Sequence, residues 1–406
     1  MPRMTPLRRA LGLVVVLTVA VPAAASDRIY TLAIGDPARR DRTVPVVLDT
    51  IVDTRAGDRI DPAVLAARLA DARLVLVGEM HRSVESHRVE LAVIRSLVEA
   101  GRHVTIALEM FPYPAQPSLD AWNAGEWSED EFVARSHWYD AWGYNWRYYR
   151  AIFEYARAHH LRVVAANAPH DLVTAVRRQG LSSLPTGQAA HLPPRIDVES
   201  DDYLTFFKAS FDEDDSLHGG MPEAALKGML AAQCTWDGAM AWNATRALDA
   251  GDAAAVVVLL VGSGHVAYGL GIERQARLWS AQPVASVIAV PLADEDGPIP
   301  AVRASYANYV WGVAYEKDSA WPSLGVSAVA AEGGRQRLID VEKDSPAARA
   351  GLAVGDTIVA IDGTPIDSRE TLNRLSAEWL WGDVPAVTVH RGDADLTIRI
   401  PLRRVP

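Results

Sequence analysis

The chain has 406 residues, which is long enough for two domains with separate hydrophobic cores. Hydrophobic residues make up 49% and charged residues 22%, a composition typical of globular proteins that excludes wholesale disorder. The formal net charge is −11, so we expect neither nucleic acid nor an anionic membrane surface as a partner.

Residues 1–25 have the pattern of a signal peptide. A basic segment with three arginines is followed by an apolar stretch over 11–21 and by small residues before Ser26. The apolar stretch is shorter than the about 20 residues that span a bilayer, and no later segment is long and apolar enough. The sole cysteine, Cys234, offers neither an internal disulfide nor a lipoprotein anchor. We therefore expect a periplasmic or secreted protein with no integral membrane segment after signal cleavage.

Residues 46–296 predict an α/β layered domain, preceded by an irregular, polar lead-in over 26–45. Short runs rich in β-branched residues alternate with helical spacing, which is typical of a mainly parallel sheet covered by helices. The predicted strands are 74–77, 104–108, 163–165 and 255–261. Residues 180–225 carry an acidic run and paired glycines, and they suit either a helical insertion that forms a lid or a solvated loop.

Polar residues follow each of the four predicted strands. In open α/β sheets, ligands bind beyond the carboxyl ends of the strands. The predicted rim therefore holds Glu79, His81, Glu109, Asn167, His170 and His265. Such carboxylates and histidines serve either metal binding, with Glu79, His81 and His265 as ligands, or proton transfer that also uses Glu109. Because the Gly-x-Ser-x-Gly order is absent, serine hydrolase chemistry is disfavoured.

Most of these residues also have a structural interpretation. Glu79 suits a helix N-terminus, His170 suits a helix cap, and His265 suits a turn between glycines. His87 shares an apolar helical face, so we expect a satisfied core histidine there. Glu109 follows an apolar run, and because an unpaired buried charge is costly, a role in the cleft is favoured.

A stretch over 138–149 is dense in tryptophan and tyrosine. It suits either a flat apolar wall for a ring-shaped ligand or a dimer surface, or core packing between helix and sheet.

Several blocks in this order resemble the ChaN-like haem-binding uptake family, within the wider Tiki/erythromycin-esterase superfamily. The resemblance covers residues from about 60 to 290. Its blocks are Gly-Glu-Met-His at 78–81, Leu-Glu-Met-Phe at 108–111, Gln-Pro at 116–117, the aromatic segment to Tyr149, Ala-Ala-Asn-Ala-Pro at 165–169, Ala-Gln at 232–233 with Asp237 and Met-Ala at 240–241, and Gly-Ser-Gly-His at 262–265.

The resemblance implies an α/β fold and haem held at a dimer interface for iron acquisition, with tyrosine and histidine as iron ligands. Those ligands stay unassigned, with Tyr113 and His218 as candidates. In related branches the equivalents of Glu79, His81, Glu109 and His265 line a hydrolytic or metal site, which Asn167, His170 and Asp237 would support. The chain departs from the family pattern in lacking a lipoprotein cysteine and in carrying a further C-terminal module.

The C-terminal module begins after a predicted linker over 297–322. Residues 323–404 resemble a small β-rich PDZ domain of the HtrA-like type, through Ser-Leu-Gly-Val at 323–326, Leu-Ile-Asp-Val at 338–341, Ser-Pro-Ala-Ala-Arg-Ala-Gly-Leu at 345–352, Gly-Asp-Thr-Ile at 355–358 and Ile-Asp-Gly-Thr-Pro-Ile at 361–366. The resemblance implies that Leu324, Gly325 and Val326 present backbone N–H groups to a peptide C terminus, which then adds as a strand. A PDZ fold used only for docking or dimerisation is the alternative.

Three functions are consistent with these patterns. The first is an exported haem- or iron-binding protein with a peptide-binding PDZ module and a possible homodimer. The second is a hydrolase that depends on a divalent metal ion or on the histidines and glutamates alone. The third is a periplasmic scaffold without chemistry, so whether the chain is an enzyme stays open.

Overall fold

The computed structural model describes residues 28–183, 192–210, 222–249, 252, 254–292 and 301–404. The predicted signal peptide, the acidic run and paired glycines of the predicted lid, and the haem-ligand candidate His218 lie outside the described residues. Contacts divide the chain into two compact units, with the boundary between Ala320 and Trp321. The unit before this boundary is called the α/β unit and the one after it the C-terminal unit.

The α/β unit is built on a mixed, mostly parallel sheet. Its strands are β1 (Thr43–Pro45), β2 (Ile51–Asp53), β3 (Asp58–Ile60), β4 (Leu74–Glu79), β5 (His103–Pro112), β6 (Arg162–Asn167), β7 (Ala255–Gly262), β8 (Val284–Pro291), β9 (Ala301–Arg303) and β10 (Tyr309–Val313). Among the described residues, eight strands pair in the order β3-β2-β10-β8-β4-β7-β5-β6. All neighbours from β10 to β6 are parallel, whereas β2 is antiparallel to both β10 and β3. Strands β1 and β9 form a separate antiparallel pair.

Helices alternate with these strands along the chain. They are α1 (Leu65–Arg68), α2 (Val84–Glu99), α3 (Gln116–Asn123), α4 (Glu129–Arg135), α5 (Trp138–Ala141), α6 (Arg150–Ala158), α7 (His170–Gln179), α8 (Asp201–Ala209), α9 (Glu223–Asp249) and α10 (Ile272–Ala276). Helix α2 packs on β4, β5, β8 and β10, and α9 packs on β5, β6 and β7. This alternation confirms the predicted α/β class.

The four strands predicted from continuous apolar runs are β4, β5, β6 and β7. Every residue of β4 and of β7 is buried, as expected for strands that are covered on both faces. In the sheet they are consecutive, in the order β4-β7-β5-β6. Their carboxyl ends therefore lie side by side.

The sheet extends beyond the boundaries predicted from the sequence. The predicted linker over 297–322 contains β9 and β10, and all five residues of β10 are buried against β8 and β2. The predicted irregular lead-in over 26–45 contains β1 and the buried Ile29 and Tyr30. The Gly-Pro pair at 297–298 suggested a linker, but the apolar segment Tyr309–Val313 completes the sheet because its burial stabilises the fold.

The aromatic segment lies mostly in the core. Five of its members are buried with nearby Phe111, Trp122, Phe132 and Phe153: these are Trp138, Tyr139, Trp146, Tyr148 and Tyr149. Trp142 and Tyr144 are only partly buried. Core packing therefore describes most of this segment, and two rings are left at the surface.

The C-terminal unit is a small antiparallel β domain. Its elements are β11 (Val326–Ala330), β12 (Gln336–Val341), α11 (Pro346–Ala350), β13 (Thr357–Ile361), β14 (Thr364–Pro365), α12 (Arg369–Ala377), β15 (Ala386–Arg391) and β16 (Ala394–Arg399). The strand order is β11-β12-β13-β15-β16, with β14 paired to β13. A separate core forms around Leu338, Ile358 and Val389, so this unit has its own hydrophobic interior.

A helix that crosses a bilayer must be both long and predominantly apolar. Within the described ranges, no helix combines the length and the apolar character that a membrane crossing requires.

Candidate functional site

The carboxyl ends of β4, β7 and β5 bring polar side chains to one rim of the sheet. Glu79 is the last residue of β4, and Gly262 is the last residue of β7. Glu109 lies in β5 where its pairing with β6 shifts register, between Leu108 and Pro112. A short 3-10 turn after β7 carries His265. The irregularity in β5 breaks the regular alternation of side chains at Glu109.

The first group of side chains, called the Glu79 cluster, consists of Glu79, His81, His87, Glu90 and Tyr149. Glu79 Oε1 receives hydrogen bonds from His81 Nδ1 at 2.7 Å and from the Tyr149 hydroxyl at 2.9 Å. His87 Nδ1 lies 2.9 Å from Glu79 Oε2 and 2.8 Å from Glu90 Oε2. Glu79, His87 and Glu90 are all buried, whereas the His81 side chain is 20% exposed. This cluster therefore connects a buried carboxylate pair to the surface through His81.

Charge pairing governs ionisation in the Glu79 cluster. Burial would raise the pKa of Glu79, but the charges of His87 and His81 and their hydrogen bonds hold that pKa well below its usual range. Burial would lower the pKa of His87, but Glu79 and Glu90 raise it to about 10. Burial and the charge of Glu79 raise the pKa of Glu90 to about 8. Two buried carboxylates therefore compete for one histidine.

The second group, called the Glu109 cluster, consists of Glu109, Asp237, His265, Gln233 and Tyr203. The His265 ring bridges two carboxylates, with Nδ1 2.6 Å from Asp237 Oδ1 and Nε2 3.3 Å from Glu109 Oε1. Tyr203 donates its hydroxyl to Asp237 Oδ2 at 2.8 Å, and Gln233 Nε2 lies 3.0 Å from His265 Nδ1. Asp237 and Gln233 are one turn apart on α9, which places both against the rim.

The two carboxylates also set the ionisation of His265. Burial would lower its pKa, but Glu109 and Asp237 raise it to about 10. Burial would raise the pKa of Glu109, but His265, His81 and the Gly262 amide lower it. At neutral pH the cluster therefore holds an imidazolium between two carboxylates.

The two clusters meet at Gly262. Its amide donates to Glu109 Oε2 at 2.7 Å. A Cβ placed on Gly262 would lie 2.9 Å from His81 Cε1, 3.1 Å from His81 Nε2 and 3.6 Å from Glu109 Oε2. Because no side chain fits there, His81 and Glu109 approach one another across the end of β7. The structure thus brings Glu79, His81, Glu109 and His265 into one region.

The supporting residues predicted from the sequence line the β5–β6 side of this rim. Asn167 ends β6, donates to the Glu109 carbonyl oxygen at 2.9 Å and accepts from the Ala168 amide at 2.8 Å. His170 begins α7, and its ring lies 6.2 Å from the Trp236 ring in a stacked arrangement. Asp237 belongs to the Glu109 cluster itself.

The haem-ligand candidate Tyr113 lies at the same end of the sheet. It begins the 3-10 turn that directly follows β5 and is half-buried. Burial and the nearby charge of Asp171 raise its pKa. The phenol therefore stays protonated unless a cation approaches it.

Several hydrogen-bonding partners of the rim residues were not predicted from the sequence. His87 is buried as expected, but Glu90 beside it and Tyr149, which donates to Glu79, were not identified as site residues. Tyr203, the donor to Asp237, was missed as well. The spacing of His87 and Glu90, three residues apart on α2, was the one available signal, because that spacing places both side chains on the same helical face.

Surface aromatic rings flank the exposed edge of His81. The rings of Trp142 and Tyr144 lie 4.8 Å and 4.9 Å from the His81 ring, measured between centroids. The other aromatic residues of the segment are buried, so only this part of it contributes to a ligand surface.

The donor set of the rim suits iron. Carboxylates, imidazoles and a phenol are oxygen and nitrogen donors of the kind that bind iron in proteins, and tyrosine is a known axial ligand of haem. The nitrogens of His265 already contact Asp237 and Glu109, and Nδ1 of His81 contacts Glu79. Tyr113 supplies a phenol at the same end of the sheet.

The C-terminal unit has a loop of the kind that binds peptide carboxylates. Gly325 has a φ of 71°, and a Cβ there would lie 2.4 Å from Ser345 Cβ, so the position requires glycine. The Leu324 carbonyl accepts from the Ala347 amide at 3.0 Å, which fixes the loop against α11. Val326 opens β11, which lies at one edge of the described sheet. An edge strand is what peptide addition requires.

Comparison with known proteins divides the chain in the same way. The model of the family described as haem-binding uptake proteins of the Tiki superfamily, ChaN, matches residues 65–275, and a PDZ domain model matches residues 322–402. A solved structure described as cofacial haem binding to ChaN of Campylobacter jejuni has a TM-score of 0.51 and 18% identity. It covers 66% of this chain and 98% of that chain. At that identity the similarity shows the fold alone.

The chain is also similar, over a short stretch, to part of a longer enzyme. Serine endoprotease DegS of Escherichia coli (strain K12) is 38% identical over 68 residues. These residues are 16% of this chain and 19% of DegS, so the chain spans only a small part of that relative. A match of this length does not extend the protease activity of DegS to this chain.

Proposed function

The chain belongs to the ChaN family of haem-binding uptake proteins in the Tiki superfamily, and from this membership we propose that it is an exported haem- or iron-binding protein whose PDZ domain binds peptide C termini. The rim at the carboxyl ends of β4, β7 and β5 is the ligand site. Tyr113 is the residue that would bind haem iron, and bound haem would supply a ferric centre for that phenolate. Trp142 and Tyr144 offer the apolar ring faces that a porphyrin requires.

The observation that carries the proposal is the joining of the two clusters at Gly262. Two histidines and two glutamates lie around one strand end, and Tyr113 follows the neighbouring strand. The carboxylates give the rim a negative field that favours a cationic centre over an anionic one. The signal-peptide pattern of residues 1–25 supports export. An exported protein would encounter haem from outside the cell.

The PDZ proposal rests on the geometry around Gly325. The loop of Leu324, Gly325 and Val326 leads into an edge strand, and the Leu324 carbonyl is tied to α11. Backbone hydrogen bonds along β11 would then hold a peptide, and the loop amides would hold its terminal carboxylate. A peptide with a free C terminus should therefore bind, and the same peptide with an amidated C terminus should not.

Haemin titration tests the main proposal. We expect a saturable shift of the Soret band when haemin is added to the chain without residues 1–25 at about micromolar concentration. Tyr113→Phe should weaken binding, whereas Tyr315→Phe, at an exposed position of the same unit, should not. Absence of a saturable shift in the unsubstituted protein would contradict the proposal, and equal affinities for both variants would remove Tyr113 as the ligand.

One observation favours a second candidate function, hydrolysis. His265 bridges Asp237 and Glu109, an arrangement that can hold a proton and deliver it to a leaving group. A panel of ester, lactone and peptide substrates would test this, with His265→Asn as the variant and His103→Asn, at an exposed ion pair, as the control. Hydrolysis that survives His265→Asn unchanged would exclude this site as its source.

A further inference from the structure

We propose that Glu79, His87 and Glu90 form a buried binding site for one divalent transition-metal ion, behind the rim and apart from the Glu109 cluster. This inference goes beyond haem binding and does not depend on it. The site lies between β4 and α2, because Glu79 ends the strand while His87 and Glu90 lie one turn apart on the helix. His81 stands between this site and the surface.

The donor atoms have the spacing of a metal site. One ligand atom from each of Glu79, His87 and Glu90 lies within 4.8 Å of the others. Ligands that bind one ion at about 2.0–2.2 Å lie at most about 4.4 Å apart, so side-chain shifts of a few tenths of an ångström would bring these atoms to metal-binding distances. All three side chains are buried, with exposed fractions of 2%, 5% and 0%. The three ligands are therefore already gathered inside the protein, close to the spacing that one ion requires.

The surroundings of the His87 ring point to a cation. Nδ1 faces Glu79 Oε2 at 2.9 Å and Glu90 Oε2 at 2.8 Å, and Nε2 faces the His81 carbonyl oxygen at 3.3 Å. All three neighbours are acceptors. The contact to the carbonyl keeps the proton on Nε2, which leaves Nδ1 to receive either a second proton or a metal ion. A single proton is shared poorly between two carboxylates, whereas a metal ion binds both of them and Nδ1 together.

An unsatisfied buried oxygen of Glu90 also points to a bound cation. Among the described residues, Glu90 Oε1 finds no hydrogen-bond partner, although Glu90 is fully buried. An unsatisfied buried carboxylate oxygen is costly, so native structures rarely keep one without an ion or a solvent molecule. A metal ion held by Glu90 would satisfy this oxygen as well as Oε2.

Charge balance also favours a divalent ion. Two ionised carboxylates and a neutral imidazole carry a charge of −2, which one divalent cation cancels. A set of one nitrogen and several oxygens suits zinc, iron(II) or manganese better than calcium or magnesium, which prefer oxygen alone. Glu79 is further fixed by hydrogen bonds from Tyr149 and His81, as outer-shell partners fix ligands in metal sites.

Metal analysis of the full chain, carried out without haem, tests the proposal. The protein is incubated with zinc, manganese or iron(II), dialysed, and its metal content measured by mass spectrometry. We expect about one ion per chain for the preferred metal. Glu90→Gln keeps the shape of the side chain and should lower metal affinity by at least about 10-fold, since even outer-shell partners are worth that much.

Glu109→Gln is the matched control, because it changes a buried carboxylate in the neighbouring cluster. It should keep the metal. Loss of metal in Glu109→Gln with retention in Glu90→Gln would overturn the proposal and move the ion to the rim. Absence of stoichiometric metal in the unsubstituted protein, with every metal tried, would overturn it too.

Cobalt(II) absorption gives a readout that needs no variant to fold. Cobalt(II) bound to one histidine and two carboxylates should show visible d–d absorption bands. Added zinc should displace the cobalt and abolish these bands. Free-cobalt spectra at protein excess would contradict the site. A protein that binds the metal but not haem would support this site and contradict the haem proposal. Failure of the metal proposal can therefore be distinguished from failure of the haem proposal.

Discussion

Gly262 sets the distance between the two clusters. Its lack of a side chain lets His81 approach the end of β7, and its amide holds Glu109. His81 cannot move away easily, because Glu79 holds Nδ1 and the Trp142 ring lies beside it. The rim therefore depends on a position that carries no functional group of its own.

Gly262→Ala should destabilise the rim. The added Cβ would lie 2.9 Å from His81 Cε1, so the ring must shift and the hydrogen bond to Glu79 must weaken. We expect a loss of about 1–3 kcal/mol in the free energy of unfolding, the usual result of overpacking, measured by chemical denaturation. Gly264→Ala, where a Cβ would have no described atom within 4 Å beyond its chain neighbours, should change the free energy of unfolding by less than about 0.5 kcal/mol. Equal effects of the two substitutions would contradict this explanation.

At the scale of elements, α2 carries the buried half of the site and is fixed at its start. Ser83 caps the helix by accepting from the Ser86 amide at 3.1 Å. Glu316, from the segment after β10, accepts from the Val84 and Glu85 amides at 3.2 Å and 3.3 Å. A carboxylate at a helix N-terminus is stabilising because it satisfies free amides and complements the helix dipole.

Glu316→Ala should loosen the first turn of α2. Two backbone amides lose their acceptor, so we expect a cost of about 0.5–2 kcal/mol and faster hydrogen exchange at Val84 and Glu85. Lys317→Ala, at the next residue, serves as the control and should leave exchange unchanged. Unaltered protection of these amides in Glu316→Ala would show that Glu316 does not cap the helix.

The sequence predicts the existence of helix α2 better than it predicts which residues of α2 are buried. Val84, His87, Leu91, Ile94 and Val98 recur at helical spacing in the sequence. This spacing indicates a helix, and the helix of the structure runs from Val84 to Glu99. The buried face instead includes Ser86, His87, Val89, Glu90, Val93, Ile94 and Leu97. Glu90 was missed because periodicity assigns a charged residue to solvent, and only its partners His87 and Glu79 explain its burial.

At the scale of the whole molecule, the strands that form the rim were predictable and those that complete the sheet were not. β4 to β7 are continuous apolar runs, whereas β8 contains alanine and serine and β10 is interrupted by glycine. Pairing with distant strands gives those two segments their structure, and spacing along the chain does not show it. The PDZ assignment succeeded because its short motifs include required turns, such as Gly325 with its positive φ.

The C-terminal unit should lose stability in acid through one ion pair, in which the carboxylate of Asp356 is buried and the side chain of Arg391 is partly exposed. Asp356 receives two hydrogen bonds from Arg391, each 2.6 Å, and one from the Ala353 amide at 2.9 Å. Burial would raise the pKa of Asp356, but these partners lower it below its usual value. A carboxyl group with a lowered folded-state pKa contributes stability above the unfolded-state pKa, about 3.9, and this contribution is lost as the pH falls through the folded-state pKa.

Calorimetry of the full chain checks this prediction. Asp356→Asn should lower the unfolding temperature of the C-terminal unit at about pH 6, and the difference from the unsubstituted protein should shrink toward about pH 3. Asp395→Asn, in the exposed pair with His390, should have little effect. A difference that stays constant over this range would mean that the Asp356 charge is not the cause.

The position of bound haem iron decides whether the rim is the ligand site. Crystals of the chain grown with haemin would be measured above and below the iron absorption edge, which locates iron by its anomalous signal. We expect the iron within bonding distance of the Tyr113 hydroxyl oxygen, at the carboxyl ends of β4, β7 and β5. An iron peak found only at another surface of the protein would contradict this placement. Crystals that contain bound haem but show no iron peak at the rim would contradict it as well.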